Sequence, residues 1–234
     1  MASASAIPIL HAVTSDEVLE RGDFVSSARR VMAAGGPRVA IHLRSSRFTA
    51  RELTLLATQL AAEQEPTGAW LVINDRVDIA RSVGARGVQL TSKSLTVADA
   101  RLAAPTLALG ASVHGMDDAV TAAYDGASWI VAGHVFDTPS HAGEPGRGLD
   151  FVRELAAGVP VPLIAIGGVR PEHVALLRAA GVAGVAAIRG VWAIDAVSAE
   201  RAALDYLSAH DASSAGDGTA RGDDRADDRA HGQR

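Results

Sequence analysis

Several residues of types that could do chemistry stand just after short apolar runs. His114 follows the run Thr106–Val113 and precedes a helix-like pattern. Because imidazole titrates near neutrality, it can accept and return a proton at cellular pH. His114 is therefore the candidate acid–base residue; the alternative is a histidine that caps the next helix or bonds a backbone carbonyl.

Two glycine-containing pairs predict a phosphate site. Gly167-Gly168 would let backbone N–H groups approach an anion closely, since no Cβ intervenes. Arg189-Gly190 would add a permanent cation and further N–H donors. Taken singly, the glycines could form a tight turn and Arg189 could pair with Asp195. Together they favour a phosphorylated small molecule.

Further candidate binding residues lie at the ends of other apolar runs. His42 and Arg44 are two residues apart in one apolar run, so their side chains point to the same face of the predicted strand. They are either ligand contacts or a buried polar pair. The remaining candidates are Asn74, Ser112 and Thr138. Thr138 belongs to the polar loop that follows IVAGHV, and Gly146-Arg147-Gly148 closes this loop.

The elements that must position these residues alternate along the chain. Eight strands are predicted, at Ile7–Val13, Arg38–Arg44, Ala69–Asp75, Gly87–Leu90, Thr106–Val113, Trp129–Val135, Pro162–Gly168 and Gly184–Arg189. Helix signals separate them, including a capping box from Thr49 to Glu52, a similar start at Thr96 and a first-turn proline at Pro171. This rhythm predicts an α/β fold, a single (β/α)8 TIM barrel, in which chemistry sits at the carboxyl ends of the strands. A doubly wound sheet is the alternative, although no G-x-G-x-x-G follows the first strand.

Composition limits the number of domains, the kinds of binding partner and the cellular location that we expect. The 234 residues fit one barrel domain over residues 1–210, and the Asp/Arg/Gly-rich segment 211–234 is predicted to be a disordered polar tail. A net charge of −5 argues against nucleic-acid binding. No apolar stretch is long enough to span a membrane, and the chain lacks cysteine, so we expect a cytoplasmic protein. The oligomeric state is open, and a homo-oligomer is one expectation.

Five motifs, in this order and spacing, resemble the thiamine phosphate synthase superfamily, whose fold is a (β/α)8 barrel. They are INDRVDIA, GVQL, LGASVH, AGHVFDTPSHAGEPGRG and PLIAIGGV, and the likeness covers roughly residues 7–208. The superfamily has a synthase branch and a TenI branch of thiazole tautomerases.

Departures from the synthase pattern favour the TenI branch. Ser46 and His141 stand where the synthases carry lysines, and Ser94 stands where they carry a metal-binding aspartate. Asp75 alone remains of that metal pair, and one carboxylate is a poor cage for Mg²⁺. In contrast, the segments around His42, Gln89 and His114 are similar to TenI, although Asp75 replaces a glycine and leaves residual synthase activity open.

The resemblance therefore implies a thiazole tautomerase of thiamin biosynthesis, needing no cofactor or metal. Its substrate would be a phosphorylated dihydrothiazole carboxylate, which His114 would aromatise by proton transfer while Arg44 pairs with the carboxylate. Gly167, Gly168, Arg189 and Gly190 would hold the phosphate. Two alternatives stay open: a Mg²⁺-dependent thiamine phosphate synthase, and a non-catalytic protein that senses thiazole or thiamine phosphates.

Overall fold

The computed structural model describes residues 6–192 and 195–217, with side chains described as far as residue 214. Its centre is a closed, all-parallel barrel in which each strand pairs with the next in sequence and the eighth pairs with the first. The strands are β1 Leu10–Val13, β2 Val39–Leu43, β3 Trp70–Asn74, β4 Gly87–Leu90, β5 Ala108–Val113, β6 Trp129–Ala132, β7 Leu163–Ile166 and β8 Gly184–Ala187.

The predicted barrel is confirmed, and each observed strand lies within its predicted range. Nearly every strand residue is buried, because each strand faces the barrel interior on one side and helices on the other. Since β1 pairs with both β2 and β8, the sheet has no open edge and the doubly wound alternative is wrong.

Ten α-helices occur in the part of the chain that the structure describes. They are α1 Asp16–Leu19, α2 Phe24–Gly35, α3 Ala50–Ala61, α4 Gln64–Thr67, α5 Val77–Val83, α6 Val97–Ala103, α7 Met116–Tyr124, α8 Gly148–Gly158, α9 Val174–Ala179 and α10 Ala196–Asp217. The predicted helix starts are confirmed: Thr49 and Glu52 form a reciprocal capping box, and Thr96 accepts from the Asp99 backbone N–H. Pro171 opens a short 3-10 helix before α9.

Helix α10 crosses the domain boundary that composition predicts at residue 210. It continues to Asp217, and two contacts hold its last turns against the barrel: Arg38 pairs with Asp211, and Arg178 donates to Ser213 and Ser214. Composition predicts order from the apolar surface that a segment can bury, and polar contacts such as these do not enter that prediction. The rest of the predicted tail, residues 218–234, lies outside the described residues.

The inside of the barrel is filled by side chains around Trp129. Trp70, Val72, Val131 and Ile164 form one buried cluster with it. Because Trp70 and Trp129 are the first residues of β3 and β6, this cluster fills the amino end of the barrel, and the cavity lies at the opposite end, where the strands terminate.

A glycine on β5 makes room for Trp129. A Cβ at Gly110 would lie 2.2 Å from the indole ring and 2.3 Å from Gln89 Oε1. We therefore expect Gly110→Ala to lower the free energy of unfolding by roughly 1–3 kcal/mol through overpacking. Urea unfolding measures this loss, with Gly115→Ala as the matched control, because a Cβ at Gly115 meets no atom within 4 Å. Equal stability of the two variants would contradict the packing argument.

Candidate active site at the mouth of the barrel

The carboxyl ends of the strands open into one cavity of about 1810 Å³. This volume exceeds the roughly 300–1,000 Å³ that is usual for one small molecule. All ten residues singled out from the sequence line it: His42, Arg44, Asn74, Ser112, His114, Thr138, Gly167, Gly168, Arg189 and Gly190. The structure therefore brings them together, while their individual roles stay predictions.

His114 is exposed at the rim and is held through its backbone. Its N–H donates to Asp118 Oδ2 at 3.0 Å, and its carbonyl accepts from Arg147 Nη1 at 2.6 Å. The His114 ring makes no hydrogen bond to the residues that the structure describes. An acid–base histidine is usually oriented by a second group, and the described residues supply none here.

Arg44 stands on a rigid backbone next to β2. Thr14 Oγ1 accepts from the Arg44 N–H at 2.9 Å and donates to its carbonyl at 3.0 Å. The next turn is anchored on Asp16, which accepts from Ser45 and Ser46. Burial works to raise the pKa of Asp16, but these hydrogen bonds outweigh it and lower the pKa to about 2. The guanidinium of Arg44 remains exposed at the cavity.

One group of cations lies after β7 and β8. Arg189 Nη2 contacts two hydroxyls, Thr138 Oγ1 and Ser140 Oγ, at 3.3 Å each. It does not pair with Asp195, which accepts from the Ser198 N–H at the start of α10. Arg170 also lines this side of the cavity. Since hydroxyls do not neutralise a guanidinium, Arg189 keeps its charge available for an anion.

The glycines on this side also have packing reasons. Gly167 and Gly168 have positive φ angles of 97° and 64°, and a Cβ on Gly168 would lie 2.5 Å from the Asp137 carbonyl. A Cβ on Gly190 would lie 2.2 Å from the hydroxyl of Tyr206, which donates to the Val169 carbonyl. Both a tight turn and an anion site at Gly167-Gly168 require residues without a Cβ. The two interpretations of this pair are therefore compatible.

A second charged group follows β3 and β4. Asp75 adopts a left-handed conformation with φ of 60°, and its Oδ1 accepts from the Thr91 N–H and hydroxyl at 2.8 Å each. Lys93, two residues beyond Thr91, is exposed at the cavity and is the only lysine in the sequence. Lys93 makes no ion pair with the described residues. No motif marks it, so sequence reasoning missed it; its being the single lysine was the available signal.

The mouth is more basic than the chain as a whole. Five cations line it against three carboxylates, whereas the whole chain has a net charge of −5. The cations are Arg44, Lys93, Arg147, Arg170 and Arg189, and the carboxylates are Asp75, Asp137 and Glu144. In an eight-stranded ring, β3 and β7 lie across from each other. Cations thus stand on opposite sides of the mouth: Arg170 and Arg189 after β7 and β8, and Lys93, in the loop that also binds the Asp75 carboxylate, after β4.

A hydrogen-bond chain inside the barrel fixes the orientation of Ser112. Trp129 Nε1 can only donate, and it lies 2.8 Å from Gln89 Oε1. Gln89 Nε2 in turn lies 3.1 Å from Ser112 Oγ, which must accept. The Ser112 hydroxyl hydrogen is therefore left to donate to another group.

His42 lies at the inner end of the cavity and is almost fully buried. Its Nε2 lies 2.7 Å from Nδ1 of His11, and His11 Nε2 lies 2.9 Å from the Pro8 carbonyl. His42 is thus buried in a pair with His11, whereas Arg44, with which the sequence analysis considered a buried pair, is exposed. Burial lowers the pKa of His11 from its ordinary 6.5 to about 4, and burial beside His11 lowers the pKa of His42 in the same direction.

These two histidines predict a loss of stability in mild acid. Between pH 6.5 and 4, the unfolded His11 takes up a proton that the folded His11 refuses, so protons favour the unfolded chain. The free energy of unfolding should fall by on the order of 3 kcal/mol across this window on account of His11, and this contribution is complete above pH 6.5.

Urea unfolding at a series of pH values measures this loss. His11→Gln is the control, because it removes one titrating ring and should make the profile between pH 6.5 and 4 shallower, leaving the part that His42 contributes. Superimposable profiles of the variant and the wild type would contradict the assignment to His11.

The loop between β6 and α8 folds over the cavity. The rings of His134 and His141 stack with centroids 4.1 Å apart, and Asp137 Oδ1 accepts from the Gly146 N–H at 2.7 Å. Arg147 lies over the Phe151 ring and reaches the His114 carbonyl. This loop therefore ties the β7–β8 side of the mouth to the His114 side.

The described residues contain neither a cluster of metal-ligand side chains nor a membrane-spanning helix. Residues 6–192 and 195–217 contain no group of three or more His, Cys, Asp or Glu side chains placed to hold a metal ion. Over the same residues, no helix has the length and apolar character needed to cross a membrane. The cytoplasmic location and a homo-oligomer stay predictions.

Several known proteins are similar to this chain in sequence and in fold. The family model described as thiamine monophosphate synthase matches residues 10–191. The thiamine-phosphate synthase of Methanoculleus marisnigri is 40% identical over 177 residues, which are 74% of this chain and 83% of that protein. That of Chlorobium luteolum is 39% identical over 214 residues, covering 91% of this chain and 97% of that protein. The structure of thiamine phosphate pyrophosphorylase from Pyrococcus furiosus superposes with a TM-score of 0.76 at 28% identity, over 88% of this chain and 96% of that one.

These comparisons overturn the tautomerase prediction. The similar proteins are named as synthases, which are transferases, and none of these names is that of an isomerase. The prediction failed because it compared the chain with the synthase motifs one position at a time. It counted the missing lysines at Ser46 and His141 against a synthase. It did not count Lys93 and Arg170, which line the same cavity from other positions.

The match over residues 10–191, the identities of about 40% and the barrel topology all agree. The chain therefore belongs to the thiamine monophosphate synthase family.

Proposed function

We propose that this chain is a thiamine-phosphate synthase, which couples a pyrimidine pyrophosphate to a thiazole phosphate and releases pyrophosphate. Relatives at 39–40% identity bear that name. The observation that carries the proposal is the presence of cations on opposite sides of one large mouth. A coupling of a pyrophosphate with a phosphate brings more negative charge into the mouth than the single phosphate and carboxylate of a tautomerase substrate.

The chemistry of each region suits a different substrate. The β7–β8 side offers Arg189, Arg170 and the backbone N–H groups of Gly167 and Gly168, a set that suits a phosphate monoester. The β3–β4 side offers Lys93 together with the carboxylate of Asp75. A carboxylate would repel a bare anion, so this side suits a pyrophosphate that arrives with a cation.

The reaction joins a ring nitrogen of the thiazole to the methylene carbon of the pyrimidine. The bond from that carbon to the pyrophosphate oxygen breaks, and the leaving group takes both electrons. Negative charge therefore grows on the pyrophosphate, and a fixed cation beside it would stabilise the transition state. Lys93 and Arg44 are placed to do this, and Ser112 is oriented to donate a hydrogen bond.

Magnesium fits this mouth only if the substrate supplies most of its ligands. Asp75 Oδ1 is engaged by Thr91, and Asp75 Oδ2 makes no hydrogen bond to the described residues. One carboxylate with substrate phosphate oxygens and water is a common way for proteins to bind Mg²⁺. Asp75 would hold the ion, which when bound would neutralise charge on the pyrophosphate.

A coupling assay tests the proposal. Purified protein is incubated with the pyrimidine pyrophosphate, the thiazole phosphate and Mg²⁺, and thiamine phosphate and pyrophosphate are quantified by chromatography. We expect equal amounts of both products, and none when either substrate is omitted. Tight binding of thiazole phosphate without turnover would instead support the non-catalytic sensor and refute the synthase.

A further inference from the structure

Among the described residues, four buried polar side-chain atoms lack a hydrogen-bond partner: His42 Nδ1, Asn74 Oδ1, Trp70 Nε1 and His210 Nδ1. The first two lie on neighbouring strands at the end of the barrel that opens into the cavity. His42 on β2 lies level with Val72 on β3, and Asn74 follows two residues later on the same face of β3, so the two side chains are neighbours. Asn74 also works to raise the His42 pKa, against the larger effect of burial. Buried polar atoms are nearly always paired, so two orphans side by side require an explanation.

The backbone carbonyl of Pro8 determines which ring atoms carry protons. A carbonyl can only accept, so His11 Nε2 must be the protonated nitrogen of its ring. Because burial keeps His11 neutral, its Nδ1 is then bare. His42 Nε2, 2.7 Å away, must donate to it. His42 is neutral too, so His42 Nδ1 is a bare acceptor.

An acceptor at His42 Nδ1 cannot bond to the oxygen of Asn74. The nitrogen and oxygen of a carboxamide have nearly the same shape, and a half-turn of the group exchanges them. After this exchange Asn74 Nδ2 donates to His42 Nδ1, and both orphans are resolved. The oxygen then takes the other position of the amide, at the cavity that Asn74 lines.

We propose that His11 is a positioning residue: acting through His42, it holds the Asn74 carboxamide so that its oxygen faces the mouth. The site then presents two neighbouring oxygen acceptors, from Asn74 and from Asp75, at the end of β3. Such a pair recognises a hydrogen-bond donor, which is either an amino group of a heterocycle or the water shell of a cation. This proposal does not depend on the coupling reaction.

The tautomers can be observed directly in the wild-type protein. A long-range proton–nitrogen correlation spectrum distinguishes protonated from bare ring nitrogens of each histidine. We expect the Nε2-protonated form for both His11 and His42 at neutral pH. A wild-type His42 protonated at Nδ1 would overturn the proposal, whether or not the protein has synthase activity.

Two replacements of His11 separate positioning from simple structural support. His11→Gln can still accept from His42 with its oxygen and donate to Pro8 with its nitrogen, so the His42 tautomer should be retained. His11→Leu removes the acceptor, so His42 should shift its proton to Nδ1 and turn the Asn74 oxygen back inward. Binding should then weaken roughly tenfold in the leucine variant and remain at the wild-type level in the glutamine variant.

Calorimetric titrations measure this binding with two probes. Mg²⁺ alone tests the cation, and the pyrimidine pyrophosphate without metal tests the amino group. If the leucine variant binds only one of the two probes more weakly, that probe carries the hydrogen-bond donor that the Asn74 oxygen recognises. Unchanged affinity of His11→Leu for both probes would overturn the proposal, and so would an equal loss in both variants.

Discussion

Replacement of Lys93 by methionine is expected to lower kcat/KM for the pyrimidine pyrophosphate by roughly 100-fold. Lys93 is exposed at the cavity, in the loop whose Thr91 binds Asp75, and it makes no ion pair with the described residues, so its full charge is available to a leaving group. The KM for thiazole phosphate should stay within about twofold of the wild-type value, because that substrate is assigned to the opposite side.

Lys93→Arg is the matched control, because it restores the charge at the same position and should recover most of the rate. Steady-state kinetics with each substrate varied in turn measure both effects. A methionine variant with wild-type kcat/KM for the pyrophosphate would remove Lys93 from the mechanism. A parallel rise in both KM values would contradict the division into two sides.

Replacement of Arg189 by methionine should produce the complementary result. The KM for thiazole phosphate should rise roughly 10- to 100-fold, which is the value of a hydrogen bond to a charged group. Among the described residues, Arg189 makes hydrogen bonds to the hydroxyls of Thr138 and Ser140 and no ion pair, so we expect the fold to persist without it. The KM for the pyrimidine pyrophosphate should change little.

The control for Arg189→Met is Arg201→Met. Arg201 pairs with Asp205 on the exposed face of α10, and its loss removes the same charge away from the mouth. Unchanged kinetics in the Arg201 variant would show that the effect at Arg189 is local. If both variants raise the KM for thiazole phosphate alike, the effect is one of overall charge and Arg189 is not a phosphate ligand.

The barrel could be predicted from the sequence because its signals are local. Apolar runs of strand length, the capping box at Thr49 and the proline at 171 each occupy a few consecutive residues. The rule that barrel chemistry lies at the carboxyl ends of strands then placed ten residues in one mouth, and the structure brings all ten to one cavity.

The buried histidine pair was beyond sequence reasoning because it depends on register. His11 lies level with Ala40, and His42 lies level with Val13, so the two rings meet only through the alignment of β1 and β2. A sequence pattern does not determine that alignment. The sequence therefore leaves His42 open between a ligand contact and a buried pair with Arg44, and His11 is not among the predicted site residues.

The choice of branch failed for a different physical reason. Electrostatic attraction depends on where charges lie in space and not on which position of a motif supplies them. Lys93 follows β4, while the lysines that the motifs led us to expect belong after β2 and β6. Only the closed ring brings these strand ends around one cavity.

The central claim is that the mouth holds two anionic substrates at once, on opposite sides. Calorimetry tests it by titrating magnesium pyrophosphate into the protein, first alone and then after saturation with thiazole phosphate. We expect one equivalent of pyrophosphate to bind in both titrations, with affinities that agree within a few-fold. Displacement of pyrophosphate by thiazole phosphate would show a single anion site and contradict the account.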